Sequence, residues 1–531
     1  MTVRFLIHHG CFSHGFHLCC LLVTAASVAC DRSTTPVSPT TQPAQAGNPQ
    51  RGGRVIIAIQ DEGARLDPHL VTDAGSMRLI ENIYSTLLRY GATYGEVEPD
   101  LALRLDQSED GLTYRITLRE NAFFHSGRPV TSMDVRYSLD RIRTLGVRAD
   151  HFAAIDHIET PDAQTVVLRL ARRFAPLETY LAHPMNAIVD REVVEAHKGR
   201  LDDVDAGSGP FQLASWKRGQ HLRLSRFGTY HLHDRPYLNE VEFRPMPDET
   251  ARSTMLQTGE IDLMLSIPAK DLSLIRDTRH VVVESVPGTF WEYLGINVTR
   301  PPFDDVRVRQ AVAWAIDRDL INQLVKFGRA QVLDGGHLPD NHWASLNESM
   351  YPHRDVQRAK SLLAEAGFEN GFETTLKIGS NFSYQVRAAE VVKQNLRDVG
   401  IRVTLKAMES TVFFAALGRQ DFDMVLVGWV GFVDPDEWTW NLFHSQGKYN
   451  QQSYRNPTLD ALLDEARTTL ERKRRKALYA KIQQIVAMDC PMVFLYANEQ
   501  ISAYRDRVHG FTVHPTATTI SLRDTWVSAS D

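Results

Sequence analysis

The first fifty residues constrain this chain more than any other stretch. Arg4 is the only formal charge before Asp31, and Leu18 to Ala29 form a short apolar run that ends in small residues. A run of that length suits the core of a secretory signal peptide and is too short to span a bilayer. From Asp31 to Gln50 the chain reads DRSTTPVSPTTQPAQAGNPQ, dense in Pro, Ser, Thr and Gln. Such a stretch buries too little surface to offset its ordering entropy, so residues 30–52 are expected to act as a tether. The folded body is expected to begin at residue 53. Beyond residue 30 no uninterrupted apolar run approaches the ~20 residues of a membrane-spanning helix, and 531 residues exceed what one hydrophobic core serves.

The apolar run closes on Ser27-Val28-Ala29-Cys30, which resembles the lipobox of bacterial lipoproteins, although Ser27 stands where leucine is usual. The resemblance implies a signal peptide at 1–29, removed by cleavage, and a lipid on Cys30. The protein would then be held at a membrane through that anchor, in the periplasm or at the cell surface. His8, His9, Cys11, His14, His17, Cys19 and Cys20 imitate a metal-binding tract but fall in the segment to be removed. Of the five cysteines only Cys30 and Cys490 remain beyond the cut, so no disulfide framework is expected. Cys490 reads as a small buried hydrophobe.

Lys and Arg total 59 against 65 Asp and Glu, a net charge of −6 spread along the chain. That balance gives no basic footprint for nucleic acid. The phosphate-cradling, dinucleotide, zinc-helix and nucleophile-elbow motifs are all missing. Gly207-Ser208-Gly209-Pro210 imitates a nucleophile turn, but the proline suits a rigid turn better than a helix start. Catalysis by residues distant in sequence stays open, but nothing local requires it, and no cofactor and no metal are expected.

Periodicity predicts mixed α and β structure. Arg54 to Gln60 is a continuous apolar run that fits a strand covered on both faces. After the turn signal Asp110-Gly111, Tyr114, Ile116 and Leu118 alternate with Arg115, Thr117 and Arg119, as in a half-buried antiparallel strand. Thr165–Leu170 and residues 221–225 predict further strands. Asp355 is placed to cap a helix that Gly367 ends, and Gly400 ends a second helix before the alternating Ile401, Val403 and Leu405. Asn456-Pro457 opens a helical stripe running through Leu462, Leu463, Ala466, Leu470, Ala477, Leu478, Ile482 and Ile485 to a stop at Pro491. The basic run Arg472–Lys476 is expected on the solvated face of that helix.

Several segments, taken in order, resemble the extracellular solute-binding proteins of the peptide/nickel class, family 5. They are Leu66-Asp67-Pro68; residues 82–88; 110–119 with 124–135; Gly207–Phe211; Gly259–Asp262; Asn297 with 301–311; Ala359–Gly367; and Tyr454–Pro457. The resemblance implies a mixed α/β, type II periplasmic-binding-protein-like fold of two lobes with a hinge and one inserted domain. Domain I would comprise 53–92, 205–296 and 498–531, domain II 93–204, and domain III 297–497. Chain crossings near Gly295-Ile296-Asn297 and Ala497-Asn498 would form the hinge. It further implies a monomer that takes a small, peptide-like solute in the interlobe cleft and hands it to the membrane subunits and ATPases of an ABC importer. A non-peptide solute (a chelated metal, an opine or a saccharide) and a ligand-presenting sensor or chaperone are the alternatives.

Residues 428–438, GWVGFVDPDEW, correspond to a loop in which dipeptide-binding relatives place an aspartate for the ligand ammonium. Here that place falls near Gly431-Phe432, and Asp434 is the nearest acid. The arginine that meets a dipeptide carboxylate corresponds to about Gly379, with Arg387 expected inside the following helix. A strict dipeptide binder is therefore disfavoured. Expected ligand contacts are Trp429, Phe432, Asp434, Trp291, Asn381 and Ser76, with Trp438 as a further aromatic candidate.

Overall fold

The computed structural model describes residues 48–528, apart from Ala92, Gly146 and Phe432. The signal peptide, the lipid-bearing Cys30, most of the tether and the ligand contact expected of Phe432 lie outside the described residues.

Arg54–Ile59 forms the expected strand and is flanked on both sides by parallel partners, Glu240–Pro245 and Leu263–Met264. It belongs to one large sheet of eleven strands. Two long members, Val281–Ile296 and Met492–Arg505, pair antiparallel through the middle of that sheet. On one side lie the strands of the amino-terminal half, and on the other Met424–Val430, Phe372–Gly379 and Ile401–Met408. The two long strands change cores along their length. Val283, Ile501 and Ala503 pack with Ala58 and Leu256, whereas Trp291, Tyr293 and Ala497 pack with Phe413, Leu442 and Phe494. Their pairing shifts register between Pro287 and Trp291, the kind of irregularity that bends a strand pair. The first passage between cores thus falls some residues before Gly295. Gly288 is required there, because a Cβ would stand 2.6 Å from the carbonyl oxygen of Asn498.

A separate four-stranded antiparallel sheet lies within 93–204, ordered Ala102–Gln107, Thr113–Leu118, Thr165–Leu170, Ile155–Asp162. Tyr114, Ile116 and Leu118 are buried as the alternation predicts. The helix Ser132–Leu145 packs on this sheet.

The caps follow the sequence. Asp355 accepts from the Arg358 amide ahead of the helix Val356–Glu365, and Asn456 caps Pro457–Thr468. Helix Ser383–Arg397 ends before Gly400, whose φ is +94°. One expectation is corrected: the stripe from Leu462 to Ile485 is two helices, Pro457–Thr468 and Arg472–Asp489. Thr469 is extended at the break, and Glu471 precedes the second helix. A second correction concerns the basic run. Arg472, Lys473, Arg474 and Lys476 are exposed, but Arg475 is buried. Cys490 is buried as expected, in the left-handed region at the helix end, with its Sγ 2.9 Å from Tyr351 Oη. Among the described residues no helix is long and apolar enough to cross a membrane.

Candidate ligand-binding cleft

Beside the place where the two long strands change cores lies a cavity of about 1170 Å³. The strands contribute Gly288, Thr289 and Phe290 and the stretch Asn498–Ile501. The helix start at Asp73–Arg78 and the loop Ser266–Lys270 form one wall, and Val147–His151 with Met185 another. Lys326, Arg329, Ser383–Arg387, Gly428–Val430, Glu437 and Tyr449 close the remainder.

Local folding explains how these groups are held. Asp73 caps the helix Ala74–Ile83 by accepting from the Ser76 amide at 2.7 Å. The Ser76 hydroxyl accepts in turn from the amides of Ala64 and Arg65 at 2.7 and 3.1 Å. Lys326 reaches Glu292 at 3.0 Å and sits over the rings of Tyr384 and Tyr496, and Tyr496 donates to the other Glu292 oxygen. Arg329 pairs with Glu499 at 2.8 Å. These cations are neutralised. Arg148 and Arg387 line the same cavity, and among the described residues neither has a carboxylate within 4.0 Å. Arg148 instead rests its Nε 2.9 Å from Met185 Sδ.

The loop after Val430 turns into the helix Pro435–Phe443, whose start carries three acids. Asp434 caps it, accepting from the Asp436 amide, and takes a bidentate pair from Arg475 at 2.7 and 2.9 Å. Asp436 takes a second bidentate pair from Arg467 at 2.8 and 2.9 Å and a hydrogen bond from Tyr180 Oη at 3.0 Å. Both carboxylates are buried. Glu437 lines the cavity. Burial, reinforced by the charges of Asp434, Asp436 and Asp150 and opposed by Arg148, pushes its carboxyl up to about 8.

The expected contacts separate on this frame. Trp429 lines the cavity with its ring 5.0 Å from Tyr449, and among the described residues its Nε1 has no hydrogen-bond partner. Trp291 is corrected: it is fully buried between Tyr293 and Phe494, on the core side of its strand. Trp438 is also fully buried and fills the space over Gly431, where a Cβ would collide with its ring. Asp434 is corrected as a ligand partner because Arg475 and the helix start occupy both its oxygens. Ser76 is committed to the amides of Ala64 and Arg65. Asn381 is exposed in the turn before the helix Ser383–Arg397 and does not line the cavity. Sequence reasoning missed Arg148, Glu437 and Tyr449. Only Glu437 carried a signal, as the third acid after Val433 and the one with no turn to build.

The family model described as bacterial extracellular solute-binding proteins, family 5 Middle, matches residues 96–450. The glutathione-binding protein GsiB of Salmonella typhi is 28% identical over 474 residues, covering 87% of this chain and 92% of that protein. Among solved structures, the periplasmic binding protein AgaA in complex with agropinic acid, from A. tumefaciens R10, superposes with a TM-score of 0.80. It is 28% identical, over 90% of this chain and 99% of that one. The periplasmic binding protein DppA of Helicobacter pylori in complex with the peptide STSA also gives 0.80, at 26% identity over 90% and 98%.

Proposed function

The chain belongs to the bacterial extracellular solute-binding proteins of family 5, and from that premise we propose that it captures a peptide-like solute bearing more than one carboxylate. Members of this family are solute-binding components of ABC importers, not enzymes. One observation carries the finer reading: Arg148 and Arg387 line one cavity, and among the described residues no carboxylate lies within 4.0 Å of either. A guanidinium in a partly desolvated cleft pairs most strongly with a planar carboxylate, which it grips with two parallel hydrogen bonds. The cavity, at about 1170 Å³, exceeds the ~300–1,000 Å³ of ordinary small-molecule pockets, which suits a ligand larger than one amino acid. Relatives named for glutathione and agropinic acid support the same class, since both compounds are carboxylic acids.

In this reading the lobes are 53–92 with 205–296 and 498–531 on one side and 297–497 on the other, with 93–204 inserted. Solute closes them because it binds the closed arrangement more tightly than the open one. Cys30 carries the lipid anchor, and the membrane partners are a permease and its ATPases. Titration calorimetry with reduced glutathione, an opine acid and a tripeptide set tests the ligand class. Micromolar or tighter binding of a multiply carboxylated compound is expected. Heat with uncharged sugars alone, or with none of these acids, overturns it.

A further inference from the structure

His151 sits in the short 3₁₀ turn Ala149–Phe152, on the cavity wall supplied by the 93–204 segment. Its ring is held in place. Tyr180 stacks on one face at 4.0 Å between centroids with the planes 3° apart, and Tyr180 is itself tied through Oη to Asp436 at 3.0 Å. A further contact sets the tautomer. Asn186 Nδ2 donates to the Tyr180 carbonyl oxygen at 2.8 Å, an atom that can only accept, so the orientation of that amide is fixed. The same Nδ2 stands 2.9 Å from His151 Nδ1, which must therefore accept. Burial, opposed by Asp150 and aided by Arg148, pushes the ring's pKa down to about 3, so the imidazole is neutral and carries its hydrogen on Nε2. Among the described residues that N–H has no acceptor, and unlike Nε1 of Trp291 it is not sealed inside the protein. It opens on the cavity that the residue lines.

Resting on the peptide-like solute proposed above, we propose that His151 donates its Nε2 hydrogen to an amide carbonyl oxygen of the bound ligand. The chemistry selects that acceptor. A neutral imidazole N–H cannot meet an ammonium, which offers only hydrogens. Carboxylates are drawn instead to guanidinium groups, where the contact is charge-assisted and about twice as strong as a neutral one. What suits His151 is an uncharged acceptor, and in a peptide-like compound that is the amide oxygen. While the cleft is open, water serves the N–H. Once a ligand fills the space, an N–H left without an acceptor bears the full cost of its lost hydration. A fixed donor of this kind rejects analogues that lack the matching acceptor more firmly than an apolar wall could. His151 would thus separate carboxylic acids of equal charge by whether they present an amide to the 93–204 segment.

Calorimetry on the full mature protein tests this with reduced glutathione and the tripeptide Glu-Ala-Glu, each beside its two analogues in which one amide oxygen is replaced by sulfur. Sulfur keeps the shape and charge but accepts hydrogen bonds poorly. In wild type one of the two analogues should bind roughly fivefold to tenfold more weakly than its parent. Two variants then separate a ligand contact from a purely internal one. A glutamine amide reaches the place of Nε2 and an asparagine amide that of Nδ1, so His151→Gln should keep most of the discrimination and His151→Asn should reduce it to within about twofold. The reverse order would mean that the ring acts only through Asn186, and it overturns the inference. A measurement on wild type needs no variant to fold: the ¹⁵N resonance of His151 Nε2 should move on binding the parent and much less with the weaker analogue. Equal affinity for a parent and both its analogues, or an unmoved resonance, overturns the inference while the carboxylate reading stands. If neither glutathione nor Glu-Ala-Glu binds wild type, both are overturned.

Discussion

Asp434 and Glu437 stand at one helix start, three residues apart, and show what separates a charge that holds a fold from a carboxyl that borders a cavity. Asp434 is buried, accepts from the backbone and is gripped by Arg475 through both oxygens. Glu437 borders a cavity, has His183 at 3.5 Å as its one polar contact among the described residues, and is pushed up to about 8. The first ion's desolvation is offset by a matched partner inside the protein. The second carboxyl has no matched cation within 4.0 Å among the described residues, so burial pushes it up. Arg475 and Arg148 repeat the contrast among cations: one is bound to a carboxylate, and the other rests against Met185.

The largest test breaks the structural half. Arg475→Met leaves Asp434 buried without its cation, which should cost about 3–5 kcal/mol of stability. Denaturant unfolding reads this directly. A loss below about 1 kcal/mol would show that the pair is not what fixes the helix start. Replacing both partners together, as Asp434→Asn with Arg475→Met, should recover much of the loss, because no unpaired charge then remains.

The functional half should respond in affinity instead. Arg148→Ala and Arg387→Ala are each expected to weaken a multiply carboxylated ligand by roughly thirtyfold, about 2 kcal/mol for a charge-assisted contact. Among the described residues neither cation has a carboxylate within 4.0 Å, so the unfolding midpoint should scarcely move. Calorimetry beside a melting curve separates the two outcomes. Lost stability with unchanged affinity would place these arginines on the Arg475 side of the comparison.

How much was legible in the sequence depends on the range of the interactions. Tyr114, Ile116 and Leu118 are buried because strand alternation is a property of neighbours, and Asp355 and Asn456 cap because capping is settled within three residues. The break at Thr469–Glu471 was hidden by an apolar spacing that continued across it. Trp291 and Trp429 show the limit for the site. They pair directly across adjacent strands, yet Trp291 is fully buried and Trp429 lines the cavity. Directly opposed residues share one face of a sheet, so what separates these two is how far across that face the covering core extends. Arg148 and Glu437 line one cavity from positions nearly three hundred residues apart, and no local pattern announces that they share it.

A smaller effect sharpens the account of Glu437 through stability alone. Its carboxyl titrates at about 8 when folded against an ordinary 4.5, so the folded state holds a proton that the unfolded state has already lost between those values. Stability contributed by that proton is complete below about 4.5, declines as pH rises through the window, and is gone above about 8. Wild type should therefore lose ground to Glu437→Gln on going from pH 5 to pH 8, by at most about 1.4 kcal/mol per pH unit, and run parallel to it above. Denaturant unfolding of both proteins across that range is the measurement. A flat difference would mean that the carboxyl is solvated like any surface acid.

The smallest expected effect lies one residue from the largest. Arg474 and Arg475 are adjacent in the basic run, and both are paired in the structure, Arg474 with Glu465 at 2.6 Å and Arg475 with Asp434 at 2.7 Å. Distance does not distinguish them; solvent does. The Arg474 side chain is 62% exposed and its partner 41%, against 6% and 5% for the other pair. In water the Coulomb gain is screened and the ordering of two long side chains consumes most of the rest, so exposed pairs contribute about 0–1 kcal/mol. One step along a helix turns the side chain by about 100°, enough to carry it from the outer face into the body of the lobe. Arg474→Ala should accordingly change unfolding free energy by no more than about 0.5 kcal/mol and leave ligand affinity untouched. Raising the salt concentration should reduce even that difference, while the Arg475→Met penalty persists, since a buried pair is poorly screened. Equal penalties at the two positions would show that pairing distance, and not burial, decides which of these charges hold the fold.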